Sequence, residues 1–337
     1  MVTGVFVIPY FSYFVSGSSY PMNSDHKSNQ NLQKAVAIVG PTASGKTRWS
    51  LNLAKRFNGE IISADSRQIY KKMDIGTAKE IGEWRWNGLR KTYFIEDVPH
   101  HLVDFLDPGK TFSVAEFKDK AIKYVKMAHK NGRVPFIVGG TGLYLHALID
   151  NLQIPHIQAN NKLRASLEVR ENDELFTLLA KLDPKTAESV DRQNKRRLIR
   201  ALEVCILTGS PFSEQQLKGE PMFNILQIGI NLTREEIYRR LELRVEKMIS
   251  AGLEKEVKGL LKQKYNWQLP SMSGIGYREF KDYLEGKCNL EELKENLKKD
   301  NRNYAKRQVT WFKRDKRIIW CDSYEEAERV VGRFLKD

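Results

Sequence analysis

Residues 34–39 (KAVAIV) form a short apolar run closed by Gly40 and Pro41, the pattern of a strand buried on both faces of a parallel sheet. A helix should follow over 45–57. A second strand, 60–63, leads to Asp65. Residues 113–129 repeat their apolar positions at helical spacing, with Ser113 as N-cap and Glu116 three residues on. The next buried strand, 134–138, ends at Gly139-Gly140. This alternation of strand and helix predicts an open, doubly wound α/β sheet.

The pattern changes over 150–213, where helical segments occur without a convincing strand. Strand character returns at 224–231. A long amphipathic helix follows over 234–251, stopped by Gly252 as a C-terminal cap. Further helices are predicted over 253–263, 277–285 and 290–312, then a last strand at 317–320 and a closing helix at 325–335. No internal repeat is present. The expected organisation is an extension (1–33), the first part of a core (34–150), an inserted helical domain (151–215), and the completion of the core with a helical C-terminal region (216–337). Residues 5–15 are apolar, but they lack a preceding Lys or Arg and are interrupted by Pro9, so they predict neither a signal peptide nor a membrane span. Residues 1–21 are read as a dispensable extension, with Met22 as an alternative start.

Composition narrows the class. Hydrophobic residues are 41% and charged residues 29% of the 337, which excludes a disordered chain and a polytopic membrane protein. The three cysteines, Cys205, Cys288 and Cys321, are far apart, so neither a disulfide scaffold nor a cysteine zinc site is expected. The net charge of +14 is not spread evenly. Residues 192–200 carry Arg192, Lys195, Arg196, Arg197 and Arg200 without an acid, and residues 302–317 carry seven cations against Asp315. A solvated helix face would explain either run alone. Interleaved Gln193, Asn194, Tyr304, Gln308 and Trp311 favour a nucleic-acid partner, because amides read base edges and aromatic rings stack on splayed bases.

The chemistry centres on Gly40-Pro41-Thr42-Ala43-Ser44-Gly45-Lys46-Thr47, a full match to G-x-x-x-x-G-K-[ST] lying between a predicted strand and a predicted helix. Such a loop wraps a phosphate in backbone amides at a helix N-terminus. Lys46 neutralises an outer phosphate and the Thr47 hydroxyl reaches Mg²⁺. The motif alone would admit ATP as readily as another diphosphate. A triphosphatase usually adds a strand ending in an Asp that holds the metal, yet the strand at 134–138 ends in glycines. The carboxylate at a strand end is Asp65, for which a metal ligand, a general base and a helix cap all remain open. Thr141 is either a helix N-cap or a ligand contact. His100 and His101 precede an apolar run and are assigned to packing or capping, since no third metal ligand stands at suitable spacing.

Four ordered segments, GPTASGKT at 40–47, ADSRQIYKKMDIGTAK at 64–79, VGGTGLYLHAL at 138–148 and YAKRQVTWFKR at 304–314, resemble the tRNA dimethylallyltransferases, the bacterial tRNA isopentenyltransferases. The resemblance spans about residues 34–320. It implies a P-loop-kinase-like parallel sheet flanked by helices. It also implies transfer of a dimethylallyl group from dimethylallyl diphosphate to N6 of the adenosine 3′ to the anticodon (position 37), in tRNAs reading codons that begin with U. On this resemblance the P-loop holds the diphosphate, Asp65 takes the N6 proton, Thr141 steadies the bridging oxygen, and Arg240 and Arg244 close over the diphosphate, a solvated helix face being the other reading of that pair. Ser66, Arg67 and Gln68 should lie near the flipped nucleotide. Gln193, Asn194, Lys195, Arg196 and Arg197, with Lys306, Arg307, Gln308, Trp311, Lys313 and Arg314, should grip the anticodon stem-loop, joined by Arg164. A cytoplasmic, monomeric, Mg²⁺-dependent enzyme with no membrane attachment is implied. The competing readings are a small-molecule kinase, an adenylate isopentenyltransferase and an RNA-binding ATPase. The absence of a C-terminal zinc-finger spacing favours the bacterial type.

Overall fold

The computed structural model describes residues 32–337, apart from residues 89, 156, 158 and 216. The extension expected at 1–21 lies outside the described residues. Two compact units are present, one formed by the described residues up to 151 together with 221–337, the other by residues 152–220.

The larger unit is built on an eight-stranded sheet. In chain order it contains β1 (Lys34–Val39), α1 (Lys46–Arg56), β2 (Gly59–Ser63), β3 (Glu83–Asn87), β4 (Arg90–Ile95), β5 (Val98–His101), α2 (Val114–Lys130), β6 (Val134–Gly139) and α3 (Gly142–Ile149). The smaller unit holds α4 (Asn161–Glu168), α5 (Asn172–Leu182), α6 (Pro184–Ser189) and α7 (Lys195–Thr208). The larger unit then resumes with β7 (Asn224–Ile230), α8 (Arg234–Ser250), α9 (Leu253–Lys262), α10 (Phe280–Leu284), α11 (Leu290–Phe312), β8 (Ile318–Cys321) and α12 (Tyr324–Lys336). The strand order is β3-β4-β5-β2-β6-β1-β7-β8. From β5 to β8 every pairing is parallel, and β3, β4 and β5 form an antiparallel meander at one edge.

The central strands β1, β2 and β6 are buried almost throughout, as strands covered on both faces of a parallel sheet are. One apolar layer joins Ala37 and Ile137 of the sheet to Phe117, Ala121 and Val125 of α2 and Leu145 of α3. The opposite layer joins Val36, Ile38 and Phe136 to Leu51 and Leu53 of α1 and Ala327 and Val331 of α12. A third cluster packs Val245 of α8, Val257 and Leu260 of α9 and Leu293 and Leu297 of α11 against Ile69, Tyr70 and Met73. The capping box predicted for α2 is present: Glu116 N–H donates to Ser113 Oγ at 3.1 Å, and Ser113 N–H donates to Glu116 Oε2 at 2.8 Å. Such a cap stabilises a helix by about 1 kcal/mol.

The predicted core strands and helices recur within a few residues. The edge meander is an addition to the sequence reading. Its first turn carries Asn87-Gly88 between Trp84/Trp86 and Tyr93, a hairpin signature in an otherwise charged stretch. His100 and His101 lie in β5, both buried, and His101 Nε2 is 2.7 Å from Glu60 Oε2 with its ring stacked on Tyr124. Burial holds the His100 imidazole down at about 4, so it stays neutral at physiological pH. Among the described residues there is no cluster of three or more His, Cys, Asp or Glu able to hold a metal, and no helix is long and apolar enough to cross a membrane.

Candidate active site

The carboxyl ends of β1, β2 and β6 lie side by side, where open α/β sheets bind their ligands. β1 runs into the P-loop, β2 into Asp65, and β6 into Gly139-Gly140-Thr141. A cavity of about 560 Å³ opens there, lined by Gly45, Lys46, Thr47, Asp65, Arg244 and Tyr304 among others. Gly45, at φ +96°, makes the left-handed turn that starts α1, a conformation glycine enters without steric cost. Its position brings the amides of the first turn of α1 to the cavity.

Arg240 and Arg244 of α8 reach the P-loop. Arg244 donates from Nη1 to Thr42 Oγ1 at 2.8 Å and from Nη2 to the Thr77 carbonyl at 3.3 Å. Arg240 donates from Nη1 to the Ser44 carbonyl at 3.4 Å while its Nε bonds Glu236 at 2.6 Å. Lys46 folds back, donating from Nζ to the Pro41 carbonyl at 2.7 Å. Its pKa is drawn down to about 8, chiefly by burial; the nearby Asp65 carboxylate opposes that shift and Arg244 adds to it.

Asp65 accepts the backbone N–H groups of Arg67 and Gln68 on Oδ1, at 2.8 and 3.3 Å. One oxygen therefore fixes the turn after β2, and Oδ2 has no protein hydrogen bond among the described residues. Thr141 Oγ1 accepts the Ser66 N–H at 3.0 Å. Its side chain makes no bond to the amides of α3, so the N-cap role open to it is not exercised, although it occupies the N-cap position. Tyr304 of α11 lines the same cavity, and burial, reinforced by the Asp65 charge, pushes the phenol up to about 12, keeping it a neutral hydroxyl.

Tyr304 entered the sequence reading only as an interleaved aromatic. A second group it passed over is the acidic clamp on residues 74–76. Glu256 of α9 accepts the N–H groups of Asp74, Ile75 and Gly76 at 2.9, 2.8 and 3.0 Å and the Tyr277 hydroxyl at 2.7 Å. The carbonyls of Thr77 and Ala78 that follow hold Gln68 Nε2, each at 3.3 Å, and Thr77 also holds Arg244. Lys79, buried, ties Asp74, Asp104 and the Tyr70 carbonyl at 2.6 to 2.7 Å. The GTAK segment thus gains a structural meaning. Glu256 gives no comparable signal, because a glutamate in an amphipathic helix looks like any solvated residue.

The basic runs hold cations paired with acids and cations open to solvent. Arg192 and Arg200 pair with Asp173 and Glu203, and Arg302 and Arg317 with Glu242 and Asp150. Arg196, Arg197, Lys306, Arg307, Lys313 and Arg314 are exposed, and Gln193 also faces solvent; Lys195 is half-buried. Four residues expected at tRNA also have contacts within the protein. Arg164 grips the buried Glu203 through Nε and Nη2 at 2.8 and 2.7 Å. Asn194 caps α7, accepting the Arg197 N–H at 3.3 Å. Gln308 is buried in the larger unit, and Trp311, 38% exposed, lies against Gly142.

The family model described as IPP transferase matches residues 68–315. The chain belongs to the IPP transferase family. Relatives within it include the tRNA dimethylallyltransferase of Roseiflexus sp. (strain RS-1), 46% identical over 309 residues that cover 89% of this chain and 98% of the relative. The tRNA dimethylallyltransferase of Acetivibrio thermocellus is 41% identical, covering 89% and 96%. Among solved structures, the tRNA isopentenylpyrophosphate transferase of Bacillus halodurans superposes with a TM-score of 0.64 at 41% identity, covering 90% of this chain and 96% of that one. A eukaryotic dimethylallyltransferase acting on tRNA superposes at 0.67 with 30% identity, covering 83% and 69%. Membership in the IPP transferase family fits a P-loop fold whose β6 ends in glycines instead of a metal-binding Asp.

Proposed function

We propose that this IPP transferase moves the dimethylallyl group of dimethylallyl diphosphate to N6 of the adenosine 3′ to the anticodon of tRNA, at position 37, in tRNAs reading codons that begin with U. The observation that carries the reading is the meeting of a P-loop, Arg244 and one strand-end carboxylate in a single cavity, with Arg240 bonded to the Ser44 carbonyl of the same loop. A phosphate-binding wall and a proton acceptor are what prenyl transfer to an amine requires.

Breaking the allylic C1–O bond places positive charge on the allyl group and negative charge on the departing diphosphate. The P-loop amides, Lys46, Arg240 and Arg244 stabilise that leaving group. Adenine N6 is a weak nucleophile because its lone pair is delocalised into the ring, and Asp65 accepts its proton as the N–C bond forms. Thr141, braced by Ser66, steadies the bridging oxygen. The adenine leaves its stack to reach Asp65, so the protein must hold the anticodon arm through its backbone, which is the task of the open cations.

Mg²⁺ fits the donor set. A hydroxyl at Thr47, with no cluster of three or more His, Cys, Asp or Glu among the described residues, suits a metal that keeps its waters and binds mainly substrate phosphate oxygens. Thr47 would hold it, and the ion would supply further neutralisation of the leaving diphosphate. The same reading makes the enzyme a cytoplasmic monomer.

The test offers labelled dimethylallyl diphosphate to unmodified tRNA and to AMP while following ATP consumption. Transfer to tRNA without ATP turnover is expected. Transfer to AMP alone, or ATP hydrolysis without transfer, overturns the proposal in favour of an adenylate isopentenyltransferase or a nucleotide triphosphatase.

A further inference from the structure

Gln308 sits in α11 within the segment KRQVTW, whose cations face solvent, yet its own side chain is 6% exposed. Both ends of its amide are used. Oε1 accepts the backbone N–H of Thr42 in the P-loop at 2.8 Å, and Nε2 donates to the carbonyl of Gly140 beyond β6 at 2.8 Å. The orientation of the amide is fixed by these partners, since a flip would set donor against donor and acceptor against acceptor. The opposite surface is shaped to receive it: a Cβ on Gly140 would stand 2.3 Å from Gln308 Nε2. Gln308 is thus the joint of three segments far apart in sequence, the phosphate loop, the strand end that carries Thr141, and the long helix α11.

The neighbours on that helix face reinforce the joint. Tyr304, Gln308 and Trp311 recur at helical spacing, four and three residues apart, and so share a face. Tyr304 lines the cavity, and the Trp311 ring lies where a side chain on Gly142 would be.

We infer that Gln308 is a positioning residue for the phosphate loop, setting the Thr42 amide and the strand end at Gly140 relative to each other, and that it makes no contact with tRNA. This rests on the proposed prenyl-diphosphate site. Removing the amide leaves a buried N–H on the P-loop and a buried carbonyl at Gly140 without partners, and the loop must rearrange to satisfy them. Diphosphate affinity should suffer, while the cations on the outer face of α11 are untouched.

The experiment is a double-mutant cycle. Gln308→Leu removes both hydrogen bonds at similar volume, and Gly140→Ala pushes the amide from the other side. Binding of inorganic diphosphate is measured by calorimetry, tRNA affinity by filter binding, and KM and kcat by transfer. Each single variant should weaken diphosphate binding about 10- to 100-fold and raise the prenyl-diphosphate KM to match, with tRNA affinity changed less than about twofold. The double variant should be no worse than the poorer single one, because both act through one joint. Gln308→Met replaces Gln308→Leu if the latter does not fold. Loss of tRNA affinity with diphosphate binding intact would overturn the inference and make Gln308 a nucleic-acid contact. Full additivity, or no effect on diphosphate, would overturn it as well. Because diphosphate binding is read without transfer, a wild-type protein that bound diphosphate but prenylated no tRNA would defeat the proposed function and leave this inference standing.

Discussion

Lys46 donates its ammonium to the Pro41 carbonyl at 2.7 Å, inside the loop that it is expected to serve. With its pKa lowered to about 8, the amine of the ligand-free protein is charged below that pH and neutral above it. Affinity for diphosphate should therefore fall as pH rises through about 8. At pH above 8 binding should draw in a proton, visible as a binding enthalpy that depends on the buffer's ionisation enthalpy. The sign for stability is the reverse. A lysine whose folded pKa lies below its unfolded value of 10.5 costs the folded state while charged, and that cost is relieved between about pH 8 and 10.5. Lys46→Met should abolish both effects, and a pH-independent wild-type affinity across this range would contradict the assignment.

Asp65→Asn separates the two oxygens of the carboxylate. The retained Oδ1 still accepts the Arg67 and Gln68 N–H groups, so the turn should persist. Only the proposed proton acceptor is lost. Single-turnover transfer should slow by about 10²- to 10⁴-fold, the usual contribution of a general base, with diphosphate binding retained. Unchanged turnover would remove Asp65 from the chemistry.

Glu256→Ala should loosen residues 74–76 by stranding three backbone N–H groups and the Tyr277 hydroxyl. A loss of about 1–3 kcal/mol in denaturant unfolding is expected for such unsatisfied groups. Because Thr77 holds Arg244, the KM for prenyl diphosphate should also rise, more than kcat falls. Glu256→Gln, which keeps an acceptor, should recover part of both.

The open cations predict a steep salt dependence. If about 6 to 10 phosphates are contacted, tRNA affinity should fall about 10³- to 10⁵-fold between roughly 50 and 200 mM salt. Arg196→Glu and Lys313→Glu should each weaken binding and flatten the slope, measured by filter binding. Arg164→Gln should act on stability instead, through the buried Glu203 that it neutralises together with Arg200.

The core of the sheet was legible because β1 and β6 are buried on both faces and leave apolar runs, and the P-loop because its glycines and Lys46 must stand at fixed spacing. The edge meander was not, since β3 is exposed along its whole length and its residues carry no burial pattern. At the site, Lys46, Asp65, Thr141, Arg240 and Arg244 were all named from the chain, and the structure gathers them around the end of the sheet. Gln308 and Arg164 show the limit of that reading. A side chain in a basic segment looks like a nucleic-acid contact until its partners, Thr42 and Gly140 for one and Glu203 for the other, are brought beside it by packing across long stretches of sequence.

The position of the transferred label tests the central claim most directly. After reaction of the protein with labelled dimethylallyl diphosphate and unmodified tRNA, the tRNA is digested and its nucleosides and fragments are resolved by mass spectrometry. The account predicts one dimethylallyl group, on N6 of the adenosine immediately 3′ to the anticodon, and equimolar diphosphate release. Label at another base, on free adenine nucleotide, or absent while ATP is consumed would contradict it.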